Sequence, residues 1–190
     1  MLKRLSLTAA LFAVAAAPAF AHLDPTEHGS LMAGISHPLF GADHILAMLA
    51  VGIWASQIGG RALWAVPAAF VTMMAVGFGL AVAGVTLPFV EPAILASVIG
   101  LGLLVAAAVR LPVAASAAVV GLFALFHGHA HGGELGAAGA LSFGIGFLFA
   151  TAALHGVGIA LGLGVNRLGP TVARLLGLAT VVGCAAIAFG

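Results

Sequence analysis

Tyrosine is absent from this 190-residue chain, cysteine occurs once, and Asp, Glu, Lys and Arg together make up 6% of it. Lysine is scarcer still, with Lys3 the sole example. Each shortage excludes something. One cysteine, Cys184, set in an apolar run, builds neither an intrachain disulfide framework nor a thiolate metal site. A net charge of +1 with no Lys/Arg run offers no electrostatic footprint for nucleic acid. With no lysine after position 3 there is no P-loop and no Schiff-base amine, so the chain does not itself hydrolyse a nucleotide.

What is present is apolar. Hydrophobic residues make up 63% of the chain and glycine contributes 27 positions, a composition outside the range of water-soluble domains and suited to a lipid bilayer. Residues 1–21 read as a cleaved signal peptide: Lys3 and Arg4, an apolar stretch over 5–17, then the small-x-small site Ala19-Phe20-Ala21. Cleavage there leaves His22 as the mature N-terminus. Residues 22–190 read as one domain, an all-α polytopic membrane bundle of six transmembrane helices at roughly 37–57, 62–85, 92–109, 113–131, 141–164 and 172–189. Small residues such as those of Gly158-Ile-Ala-Leu-Gly162 suit close helix packing in lipid.

Orientation follows from the few charges. With the mature N-terminus outside, Arg61, Arg110, Arg167 and Arg174 all fall on the cytoplasmic side, and Asp24, Glu27, Glu91 and Glu134 fall on the other. Signal peptide and arginines agree. The expected location is a bacterial inner membrane, with both mature termini periplasmic.

Against this background the histidines stand out, because imidazole and carboxylate are costly at membrane depth and mark function by default. The first group is HPLFGADH, His37 to His44, at the start of span one. Seven residues are two helical turns, so His37 and His44 share a face on a regular helix, about 10 Å apart along its axis. Asp43 lies to the side and Met48 a turn further on, where packing is the simpler role. Pro38 pushes His37 away from helical dihedrals and Gly41 loosens the next turn, so an irregular start is expected.

The second group is FHGHAHGGE, with His127, His129, His131 and Glu134. The apolar run before it is too short to span alone, so these histidines complete the span at its periplasmic end. As a helix, His127, His131 and Glu134 share a face; as an extended segment, all three imidazoles align. His155 in LFATAALHGVG lies about 20 Å deeper along span five, in the cytoplasmic half. Neutral imidazole and carboxylate suit Ni, Co, Zn and Cu, and passage through lipid needs successive sites from which the ion can leave. His22, with its free α-amine beside Asp24, Glu27 and His28, is a candidate capture site.

HPLFGADH and FHGHAHGGE together resemble the two signature motifs of the HupE/UreJ family, small secondary nickel or cobalt permeases associated with hydrogenase and urease maturation. The resemblance extends over the whole mature chain. It implies that His37, Asp43, His44, His127, His129, His131 and Glu134 handle the metal, that Ni2+ or Co2+ is cargo rather than a prosthetic group, and that the chain is not an enzyme. The larger nickel/cobalt permeases have four residues between His and Asp, whereas Pro38 to Ala42 make five here.

Two other classes use the same residues. An intramembrane zinc hydrolase would take three histidines with Asp43 or Glu134 as base. A sensor or assembly subunit would bind metal without moving it. The donors leave open the preferred metal, facilitated diffusion against proton exchange, and whether the chain forms a homo-oligomer.

Overall fold

Continuous apolar sequence with few breakers yields helices, and seven of them carry the described residues of the computed structural model, which are 30–135 and 139–189. They are α1 (Leu31–Phe40), α2 (Ala42–Ile58), α3 (Ala62–Val82), α4 (Val90–Ala106), α5 (Val113–Leu135), α6 (Ala140–Asn166) and α7 (Pro170–Phe189). No strand occurs among the described residues. The signal peptide expected over 1–21 and the candidate chelating terminus at His22 lie outside them.

Helices α3, α5 and α6 are long and apolar enough to cross a membrane. The first expected span is in fact a broken one: α1 and α2 meet at Gly41 with a bend of 83°. Ser30 starts α1 by accepting the Ala33 N–H on its side-chain oxygen at 2.9 Å, and the helix continues through Pro38. The break therefore falls at Gly41, whose extended backbone (φ −85°, ψ 109°) caps both helices, and not at His37. The expected spans at 92–109 and 172–189 correspond to shorter apolar helices. At 17 residues α4 is about 26 Å long, a little under the hydrocarbon thickness. It ends where Ala108 turns left-handed (φ 52°) and the Val109 N–H reaches back to the Leu104 carbonyl.

Helix α2 is the hub. From Ala50 to Gln57 every residue is buried, and α2 packs against α6, α4, α3 and α7. The surrounding helices bury one stripe each and turn Trp64, Leu122, Leu141, Phe149 and Leu178 outward, the arrangement expected where the solvent is lipid. Glycines set the close approaches. A methyl on Gly77 would meet the Leu125 carbonyl and one on Gly128 the Met74 carbonyl, so α3 and α5 pack backbone to backbone. Gly52 and Gly158 do the same for α2 against α6, as do Gly34 and Gly146 for α1 against α6.

Arg61, Arg110 and Arg167 lie in the connections α2–α3, α4–α5 and α6–α7, at one end of the bundle. The HPLFGADH break and the C-terminal turns of α5 lie at the other.

Candidate metal site

The bend at Gly41 decides where the first two histidines go. His37 is in the last turn of α1 and His44 in the first turn of α2, and their ring centroids lie 6.5 Å apart. A straight helix would separate them by about 10 Å along its axis. A side chain at Gly41 would press on Asp43 Oδ1 and His44 Nδ1, each 3.1 Å from where its Cβ would sit, so glycine suits the corner for steric reasons too. Asp43, in the first turn of α2, lies where a helix N-terminus favours negative charge.

On α5 the helical alternative holds. His127 and His131, one turn apart, both face the interior. Gly128 and Gly132, at the same spacing, lie against α3 and so orient that face. His129 is rotated away: it does not join the cluster, and its Nε2 donates to the Val85 carbonyl at 2.7 Å at the exposed α3–α4 turn. Glu134 lies in the last turn of α5, three residues beyond His131.

Four imidazoles then form a chain across the gap between α1/α2 and α5. His37 Nε2 lies 2.9 Å from His131 Nδ1, His131 Nε2 lies 2.6 Å from His44 Nε2, and His44 Nε2 lies 3.4 Å from His127 Nδ1. Phe147 supports His131 at 4.7 Å between ring centroids, and Phe143 supports His37 at 5.6 Å.

The neighbours assign the protons. Ser97 Oγ donates back to the Ile94 carbonyl at 2.6 Å, as helical serines do, so it accepts from His127 Nε2–H at 2.7 Å. The lone pair of His127 is thereby on Nδ1. The Asp43 carboxylate accepts from His44 Nδ1–H at 3.2 Å, which leaves the lone pair of His44 on Nε2. His131 Nε2–H must then donate to His44 Nε2, and His37 Nε2–H to His131 Nδ1.

The lone pair of His127 Nδ1 consequently lies 3.4 Å from His44 Nε2, whose own lone pair accepts from His131 Nε2–H. Two nitrogens bound to one tetrahedral metal at 2.0–2.1 Å are also about 3.4 Å apart. His131 Nε2 is too close to His44 to be a third ligand without swinging away and losing its proton. In agreement, no three His, Cys, Asp or Glu among the described residues form a ready-made metal centre. The candidate site is a pair of nitrogens, each held by an oxygen partner behind it in the tautomer a metal would need, with His131 as a third imidazole that would first have to release His44 Nε2.

This geometry belongs to a chain that has a counterpart over most of its length. The family model described as HupE / UreJ protein matches residues 9–187. The chain belongs to the HupE/UreJ family. It is 48% identical over 181 residues to Protein HupE of Rhizobium leguminosarum bv. viciae, a match covering 94% of this chain and 95% of that one. No solved structure matches. The HupE/UreJ family is associated with nickel and cobalt transport for hydrogenase and urease, and its members are metal permeases or accessory proteins of the inner membrane, not enzymes. The hydrolase alternative is thereby set aside.

The remaining candidates of this HupE/UreJ protein occupy distinct places. Met48, a turn beyond His44, is fully buried in the apolar core. His155 on α6 is 1% exposed, and neither of its ring nitrogens has a hydrogen-bond partner among the described residues. Phe70 of α3 lies between it and the cluster, with ring centroids 5.0 Å from His155 and 5.8 Å from His127.

Ser97 and Phe70 escape a reading of the sequence alone. Ser97 leaves a faint signal as the one hydroxyl in the apolar helix α4. Phe70 leaves none, being one of 12 phenylalanines.

Proposed function

We propose that this HupE/UreJ protein is a secondary transporter that imports Ni2+, or in its place Co2+, from the periplasm for hydrogenase or urease maturation. In this reading the chain crosses the inner membrane six times. The bent α1/α2 pair is the first span, α3 to α7 are the rest, and both mature termini are periplasmic. His37, Asp43, His44, His127 and His131 receive the cation, Glu134 adds charge at the mouth, and His22 captures metal ahead of it. His129 holds the α3–α4 turn beside the site.

The observation that carries the proposal is the buried pair His44 Nε2 and His127 Nδ1, from two different helices and 3.4 Å apart, a spacing that two nitrogens on one tetrahedral metal also have. Neutral imidazoles beside a single carboxylate hold a borderline dication without enclosing it in charge, which lets it leave again. His155 supports a deeper resting point. It is a buried imidazole with neither nitrogen partnered among the described residues, on the arginine side of Phe70.

Influx of Ni2+, Co2+, Zn2+ and Cu2+ into proteoliposomes, measured for the wild-type chain and for His44→Ala, tests the reading. Wild-type influx of nickel or cobalt that His44→Ala abolishes is expected. Equal flux in both, for every metal, overturns it.

A further inference from the structure

Between the outer imidazoles and His155 the interior closes on one aromatic ring. Phe70 of α3 is fully buried, and its ring centroid lies 5.8 Å from that of His127 and 5.0 Å from that of His155. The contact with His155 is edge to face, with the ring planes at 79°. One side chain thus touches both the inner imidazole of α5 and the deeper one beyond it.

The seam beside that ring is not purely apolar. One turn outward of Phe70 on α3 is Met74, and one turn outward of His155 on α6 is Thr151. Both are buried, and the Thr151 hydroxyl donates to the Met74 sulfur at 3.9 Å. Nitrogen, sulfur and oxygen therefore occur on the outer side of the ring, and an imidazole with neither nitrogen partnered among the described residues occurs on its inner side. A phenyl ring has no lone pair to offer. A dication in a low-dielectric interior that gives up one donor needs another at once, so with the ring in place the passage from His127 to His155 is closed.

We propose that Phe70 is the gate of the pathway: its ring occludes the passage from the outer imidazole pair to His155, and an ion moves inward only when the ring swings out from between the two imidazoles. The inference rests on the transport reading and deepens it by naming a residue that sets selectivity. A closed gate makes entry depend on residence time. An ion that imidazole holds well is still at the pair when the ring moves, whereas one that it holds poorly has already returned to the periplasm. Mn2+, at the weak end of the divalent order for nitrogen ligands, is kept out on this ground.

Influx of Ni2+ and Mn2+ into proteoliposomes is compared for the wild-type chain, Phe70→Ala and Phe70→Leu, with Ni2+ binding followed by calorimetry on the same proteins. Phe70→Ala is expected to raise Mn2+ influx about tenfold, while the Ni2+ dissociation constant moves by less than about threefold because the ligating nitrogens remain. Phe70→Leu, a milder truncation, is expected to raise Mn2+ influx about threefold and carries the test if Phe70→Ala does not fold. Val66→Ala, which trims a fully buried residue one turn inward on α3, is expected to leave Mn2+ excluded. Wild-type Mn2+ influx in the folded Phe70 variants overturns the proposal, and so does an equal rise in Val66→Ala, which would reduce Phe70 to core packing. Either result alongside wild-type Ni2+ influx removes the gate alone; a wild-type chain that binds Ni2+ without moving it removes the transport reading and the gate with it.

Discussion

The Nε2 of His44 and the Nδ1 of His127 face each other at 3.4 Å, and the groups behind them, Asp43 and Ser97, orient both nitrogens as acceptors. Two helices that do not pack along one another, α2 and α5, are thus joined through their imidazoles. The relationship accounts for the presence of Ser97, a hydroxyl fully buried in an apolar helix.

Removal of that hydroxyl has a defined consequence. In Ser97→Ala, His127 loses the acceptor that keeps its proton on Nε2, so the Nδ1 lone pair is no longer fixed. Loss of such a partner costs about 10-fold to 100-fold in metal affinity. Nickel binding by calorimetry is expected to weaken by that factor, while the melting temperature of the detergent-solubilised protein changes little.

Within one motif, the helix separates the histidines by role. His127→Ala is expected to abolish nickel influx, whereas His129→Ala is expected to retain it within about twofold, since His129 bonds the Val85 carbonyl outside the cluster. Comparable losses in the two variants would mean that the segment works in the extended form.

Much of this was legible in the sequence, and the misses have physical causes. Composition and apolar runs were enough to indicate helices in lipid, and the clustering of HPLFGADH with FHGHAHGGE followed from placing both motifs at one end of the bundle. The sharpness of the bend was not legible, because Pro38 and Gly41 both disturb a helix and only packing decides between them. Pro38 stays helical, and the turn is made at Gly41, where a side chain would crowd Asp43 and His44. The choice between helix and extended chain for GHAHG likewise depended on α3, whose carbonyls accept only glycine at positions 128 and 132. Ser97 and Phe70 act through partners distant in sequence, and no local pattern announces them.

The glycine contacts predict unequal stability effects along α5. Gly128→Ala drives a methyl into the Met74 backbone and is expected to cost about 2 kcal/mol or more, whereas Gly133, with open space around it, tolerates alanine. Thermal denaturation in detergent, compared with the wild-type chain, checks both.

His155 offers a test of function against stability. A buried polar group without a partner costs about 1–3 kcal/mol, so His155→Leu is expected to raise the melting temperature while lowering nickel influx. A stabilised variant with full influx would make His155 a bystander.

In the proposed transporter α2 and α5 share one cation between their imidazoles. X-ray absorption at the cobalt or nickel edge of the loaded protein addresses it directly, because outer-shell scattering from imidazole counts the histidine ligands. Two or three imidazoles are expected in the wild-type protein and fewer in both His44→Ala and His127→Ala. An oxygen-only shell, identical in all three proteins, would contradict it.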